Sequence, residues 1–292
     1  MTGSMVALIT PMQADGAVDF PALLKLIDFH LASGTDAIVA VGTTGESATL
    51  DVDEHIAVID ATVRAVAGRI PVIAGTGANN TREAIALATA AAEAGADAHL
   101  SVTPYYNRPT QAGLIAHFTA IAEAVDLPMI LYNVPGRTGV DMQVATTLAL
   151  AAHPRIVGTK EASGSLERMR ALIDGAPSGF AVYSGDDNLS CAAILSGAAG
   201  TISVTANVAP ALMHEMTAAA LRGDAEAAQA LDARLMGLHR ELFCQPNPIP
   251  AKWAVAELGL SPAGIRLPLL PLEPAFIPQV RAAMIDAGVL TV

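Results

Sequence analysis

The chain has 292 residues, 52% of them hydrophobic and 15% charged, with a formal net charge of −12. So apolar a chain is not a disordered segment, and so acidic a balance argues against nucleic-acid backbones and anionic membranes as partners. The two cysteines, Cys191 and Cys244, are too few for a disulfide framework and suggest a reducing compartment.

Met1–Met5 carries no basic flank and the apolar run Val6–Ile9 is too short for a signal peptide, so the expected location is the cytoplasm. The uncharged stretch Asn188–Met213 is long enough to span a bilayer, which takes about 20 residues. Ser196, Gly197, Gly200 and Pro210 break it, however, and it predicts a helix, a glycine turn, a strand and a further helix.

In chain order, short apolar runs cover Met5–Met12, Ala37–Thr44, Ile70–Gly77, Ala98–Tyr106, Pro128–Pro135, Ile156–Ser163, Ala181–Asp187 and Gly200–Asn207. Near-continuous apolar runs are the pattern of strands buried on both faces. Between them lie amphipathic, alanine-rich stretches at Phe20–Ala32, Asp53–Ala67, Thr81–Ala94, Gln111–Val125 and Val144–Ala152. Gly34, Gly68 and Gly95 follow three of these as helix stops. Strand–helix units recurring every 19 to 33 residues predict an α/β chain folded as a (β/α)8 TIM barrel. Residues 1–208 hold the strands and most helices; residues 209–292 hold the last barrel helix and a C-terminal helical appendage. A doubly wound sheet is the alternative, but Gly75-Thr-Gly77 lacks the third glycine and the later acid of a dinucleotide site.

In a barrel, chemistry belongs at the C-terminal ends of the strands. Of the three lysines, Lys25 and Lys252 read as surface or structural positions. Lys160 ends a strand in phase with Ile156 and Gly158. An ammonium inside a barrel has its pKa pushed down, and the neutral amine attacks carbonyls to give a Schiff base. A buried ion pair with Glu161 is the plainer reading of the same residue. Tyr105, Tyr106, Tyr132 and Tyr183 all fall in predicted strands; a phenol beside an imine relays protons, although tyrosine also simply favours strands.

Gly42-Thr-Thr-Gly-Glu46 can present hydroxyls and backbone N–H groups to a carboxylate, or merely make a turn. Arg137, after the fifth strand, offers a bidentate fork to a second carboxylate, or is a plain surface residue. The seven histidines show no metal-ligand spacing, and no nucleophile elbow is present. Asp51, Asp53 and Glu54 read as acids at a helix N-terminus, and Glu83 with Asn80 as a capping box.

These segments together resemble the 4-hydroxy-tetrahydrodipicolinate synthase (dihydrodipicolinate synthase) family of pyruvate-dependent class I aldolases. The resemblance rests on Gly42–Glu46, Thr103-Pro-Tyr-Tyr-Asn-Arg-Pro109, Leu131-Tyr-Asn-Val-Pro-Gly-Arg-Thr-Gly139 and Gly158-Thr-Lys-Glu-Ala162. It continues through Val182-Tyr-Ser-Gly-Asp-Asp187, Gly200–Asn207 and Pro246-Asn-Pro-Ile-Pro250, nearly end to end. It implies condensation of pyruvate with L-aspartate 4-semialdehyde on the way to diaminopimelate and lysine. Lys160 would form the imine, Thr43 and Thr44 would hold the pyruvate carboxylate, and Gly185 and Ile202 would shape the pocket. Thr44, Tyr132 and Tyr106 would form the proton relay, with Tyr106 reaching in from a neighbouring subunit, and Arg137 would bind the semialdehyde carboxylate. No metal or organic cofactor is implied; a homotetramer of two tight dimers is. A lysine feedback site would map to Ser47, Ala48, His55, Asn79, Glu83 and Tyr105, with Val52 where a second histidine can stand. N-acetylneuraminate lyase, a 2-keto-3-deoxy sugar acid aldolase and a silent keto-acid-binding barrel remain as rivals, and Arg137 is the residue that separates the first two from a synthase.

Overall fold

The apolar runs form strands that stop before the runs do. A computed structural model describes residues 1–291. The strands are β1 (Gly3–Ala7), β2 (Ala37–Ala40), β3 (Val72–Gly75), β4 (Ala98–Val102), β5 (Met129–Asn133), β6 (Ile156–Glu161), β7 (Ala181–Ser184) and β8 (Gly200–Ser203). They pair in chain order, and β8 pairs in parallel with β1 to close the barrel. The helices are α1 (Phe20–Ala32), α2 (Val52–Val66), α3 (Thr81–Glu93), α4 (Gln111–Ala124), α5 (Pro135–Thr138), α6 (Val144–Leu150), α7 (Leu166–Gly175) and α8 (Ser190–Leu195). Four more follow: α9 (Pro210–Leu221), α10 (Ala225–Glu241), α11 (Ile249–Glu257) and α12 (Ile277–Asp286). The uncharged stretch after Asn188 is thus helix, turn, strand and helix, and among the described residues no helix is long and apolar enough to cross a membrane.

Helix limits follow local chemistry. Asp51 caps α2 in a full capping box with Glu54, whereas Asn80 caps α3 through Arg82 N and draws no return bond from Glu83. The expected Asn80–Glu83 box is therefore not formed, which leaves the Glu83 carboxylate for the barrel mouth. Gly34, Gly68 and Gly95 have φ of +81°, +72° and +85° just past α1, α2 and α3.

Strand alternation sorts side chains into two layers. Met5, Val39, Ile73, Leu100, Ile130, Tyr132, Tyr183 and Ile202 fill the barrel, while Val6, Ile38, Ala74, Met129 and Leu131 face the helices. The Tyr183 hydroxyl donates to Met1 O at 2.8 Å, so its ring forms the floor of the barrel. β6 carries a register shift: Met129 pairs with Ile156, but Ile130 pairs with Gly158. The extra residue, Val157, puts Ile156 among the outward-facing side chains. Lys160 is thus in phase with Gly158 and out of phase with Ile156, because a bulge flips the alternation between them.

Leu235, Leu238, Ile249, Val255, Val280 and Met284 belong to the same apolar cluster as Val6 and Ile38, so the C-terminal helices share the barrel's core. Lys252 of α11 reaches Glu46 in the loop after β2, both side chains buried, and Arg266 N donates to the other carboxylate oxygen at 3.2 Å. Lys252→Met leaves that carboxylate charged, buried and without its ammonium. A loss of about 3–5 kcal/mol in urea unfolding is the expected outcome; a loss below about 1 kcal/mol would contradict the structural role.

Candidate active site

Lys160 lies between Tyr132 of β5 and Tyr183 of β7 in the strand register. It is 5% exposed, and its Nζ stands 4.5 Å from the centroid of the Tyr132 ring. Burial lowers its pKa to about 8 and Arg137 pushes the same way, while Asp187 and Asp186 pull upward. Among the described residues no carboxylate lies within ion-pair distance of Nζ. Glu161 points to the other face of β6, where it accepts from Asn133 Nδ2 at 3.2 Å and meets Arg168 Nε at 3.3 Å. The ion-pair reading of Lys160 therefore fails, for the plain reason that adjacent strand residues face opposite sides.

Gly185 and Ile202 complete the walls. A Cβ on Gly185 would lie 2.8 Å from Lys160 Cε, so only glycine leaves the amine room to move; Ile202 is fully buried inside the barrel. Ahead of the threonine loop, Val41 has φ +48°, an unusual conformation for a β-branched residue, and the chain turns there across the barrel mouth.

The two threonines of that loop face different partners. Thr43 and Tyr132 line one small pocket, and burial raises the Tyr132 pKa to about 12, so the phenol carries its proton. Thr44, expected against Tyr132, instead accepts at Oγ1 from Asn247 Nδ2 at 3.0 Å. Arg137, on α5, donates through Nη2 to Asn247 O at 3.1 Å and lines a cavity of about 350 Å³ with Thr43 and Asn247. Tyr106 is not brought to this site within one chain. It has φ +73°, donates through its N–H to Thr138 O at 3.2 Å, and is 89% exposed.

The outer wall of the same cavity holds Ser47, Ala48, His55, Glu83 and Tyr105, and Val52 beside them. Asn79 stands behind, donating through Nδ2 to Tyr105 O at 3.2 Å. Burial lowers the His55 pKa and its ring meets Gly75 O at 2.7 Å; burial and the Glu83 charge raise that of Tyr105. The other buried histidines are held by hydroxyls: His30, His99, His117 and His239 meet Thr35, Thr76, Thr81 and Thr205 through Nδ1. Among the described residues no three His, Cys, Asp or Glu side chains gather as metal ligands.

Two site residues escaped the reading of the sequence. Asp187 sits buried after β7 and accepts from Val204 N and Thr205 N at 3.0 and 2.9 Å, fixing the loop after β8. Its sequence signals are a carboxylate at a strand end and a place in the resemblance segment Val182–Asp187, neither of which assigns it a role. Asn247 lies in a proline-rich stretch that reads as punctuation and that, within the resemblance segment Pro246–Pro250, carries no assigned role.

A closed eight-stranded barrel with a buried interior lysine, a tyrosine ring against it and a cavity lined by Thr43 and Arg137 at its mouth has the architecture of a Schiff-base-forming aldolase. The chain belongs to the dihydrodipicolinate synthetase family, whose model matches residues 1–287. It is 62% identical over 289 residues to a 4-hydroxy-tetrahydrodipicolinate synthase of Azoarcus sp. strain BH72, covering 99% of each chain. A chloride-inhibited dihydrodipicolinate synthase of Acinetobacter baumannii, solved with pyruvate, superposes with a TM-score of 0.98 at 54% identity and covers 99% of each chain. A lysine-bound enzyme of the same family from Cyanidioschyzon merolae superposes with a TM-score of 0.95 at 42% identity, again over 99% of each chain.

Proposed function

We propose that this chain condenses pyruvate with L-aspartate 4-semialdehyde to give 4-hydroxy-tetrahydrodipicolinate, in the cytoplasm, on the route to diaminopimelate and lysine. The observation that carries the reading is the buried Lys160 amine, stacked on Tyr132 and, among the described residues, with no carboxylate within ion-pair distance. Neutral Nζ attacks the pyruvate ketone, water leaves, and the imine forms. Loss of a methyl proton gives the enamine, whose carbon attacks the aldehyde. The substrate's own amino group then adds to the imine carbon and displaces Lys160, closing the ring and freeing the amine for the next turnover.

The protonated Tyr132, with Thr43 beside it, supplies and recovers protons at the carbinolamine and alkoxide. Thr44 holds the pyruvate carboxylate and Arg137 the carboxylate of the semialdehyde. Tyr106, whose hydroxyl lies outside its own chain's site, completes the relay of a neighbouring copy in a tight dimer, two of which make a tetramer. Tyr106→Phe is expected to cut turnover roughly 10²- to 10⁴-fold, the scale of a lost proton-transfer group, with pyruvate imine formation retained. Near-wild-type turnover would remove Tyr106 from the relay.

The outer cavity wall suits an amino acid: the Glu83 carboxylate for an ammonium, with backbone and hydroxyl groups of Ser47 and Ala48 nearby. Lysine is the ligand proposed there, through Ser47, Ala48, His55, Asn79, Glu83 and Tyr105. Calorimetric titration with lysine at millimolar concentration is expected to give binding heat and partial inhibition; neither heat nor inhibition would defeat it. The function itself is tested by pyruvate-dependent consumption of L-aspartate 4-semialdehyde, coupled to a reductase and NADPH. Turnover of sugar acids in its place would favour the lyase reading instead, but Arg137 at the cavity speaks for a substrate with a second carboxylate.

A further inference from the structure

Asn247 touches both residues to which carboxylates have been assigned, and it does so with different atoms. Its side-chain Nδ2 donates to Thr44 Oγ1 at 3.0 Å, and its backbone carbonyl accepts from Arg137 Nη2 at 3.1 Å. The residue is 5% exposed, in the turn leading into α11. Among the described residues, no protein group donates to its Oδ1. A buried amide whose carbonyl is left without a partner costs stability, and the donor end of the amide is the end in use.

We infer that Asn247 is a positioning residue that turns the Thr44 hydroxyl into an obligate donor toward the pyruvate carboxylate. This rests on the reading of Lys160 and Thr44 above. An amide nitrogen has no acceptor capacity, so the contact runs only from Nδ2 to Oγ1. With one lone pair engaged, the hydroxyl hydrogen points away from Asn247. A carboxylate accepts only, so a hydroxyl aimed as a donor is what it requires. Without the amide, the Thr44 hydroxyl rotates and its hydrogen is free to satisfy a backbone carbonyl instead.

The two contacts separate by experiment, because substitution of the side chain spares the carbonyl that holds Arg137. Asn247→Ala is expected to raise the pyruvate concentration for half-maximal imine trapping and the KM for pyruvate roughly 5- to 10-fold, the scale of one lost hydrogen bond. The KM for the semialdehyde stays within about twofold. Asn247→Asp keeps the shape but replaces the donor by an acceptor and adds a negative charge, so it raises the pyruvate KM more than alanine does. Asn247→Ser gives the same readout in a variant that keeps a polar group in the buried position. In a Thr44→Val background, Asn247→Ala adds less than about twofold, since the two act through one hydroxyl.

A role in packing alone predicts the reverse order, with aspartate milder than alanine and both substrates affected together. That order, or an unchanged pyruvate KM in the alanine and serine variants, overturns the inference. An amide facing Thr44 with its oxygen would likewise leave Asn247→Asp near wild type. Imine trapping on the unaltered protein at saturating pyruvate is the separate control: its failure removes the reading of Lys160, whereas its success with unmoved half-saturation in the variants removes only the role of Asn247.

Discussion

Lys160→Ala is expected to lower pyruvate-dependent turnover roughly 10⁴-fold or more, the scale on which a covalent mechanism fails without its nucleophile, in a protein that still folds. The wild-type pH profile follows from the same side chain. Burial brings the Lys160 pKa down from 10.5 to about 8, so deprotonation, and with it attack on the ketone, increases as pH rises. At pH 7 roughly a tenth of the amines are neutral, against about 0.03% for an unperturbed lysine. The rate of imine formation at subsaturating pyruvate should climb nearly tenfold per unit below pH 7 and level off above about 8. A profile still climbing steeply through pH 9.5 would place the amine in water and contradict the buried site. Alanine at 160 with more than a few per cent of wild-type turnover would remove the Schiff base altogether.

Arg137→Ala is expected to lower kcat/KM for the semialdehyde roughly 10- to 100-fold, matching the 1.5–3 kcal/mol or so of a hydrogen bond to a charged group. Pyruvate half-saturation in the trapping reaction changes little, because Thr44 and not Arg137 faces the first carboxylate in this scheme. Arg137→Lys restores the charge but not the planar fork, and recovers only part of the loss. The comparison to make is between L-aspartate 4-semialdehyde and an aldehyde lacking the carboxylate. Loss of discrimination between them in the alanine variant is the predicted result; an equal fall for both would mean that Arg137 acts elsewhere.

The barrel was readable because its strands are buried on both faces and its helices end at glycines, two local signals that tertiary packing does not override here. Lys160 stood out for a similar reason: a lysine at the end of an apolar run has few explanations. What one dimension could not reveal is more specific. The bulge at Val157 inverts the strand phase without any break in the apolar run, so simple alternation puts Ile156 on the wrong face. Thr43 and Thr44 are neighbours in a loop with no periodicity, so no alternation in the sequence says which of them faces Tyr132 and which faces Asn247. Asn247 joins the site from more than a hundred residues away, and no local pattern announces such a contact.

The role proposed for Tyr106 stands apart from these. Within one chain the residue is exposed, so the proposed part in the relay requires a second copy of the protein.

The most direct test is reduction of the unaltered protein with sodium borohydride in the presence of pyruvate, followed by peptide mass mapping. A single adduct of the reduced pyruvyl group, located at Lys160 and absent when pyruvate is omitted, is the predicted result. A folded protein that gains no such mass, or gains it at Lys25 or Lys252, would contradict the assignment of Lys160 as the reacting amine.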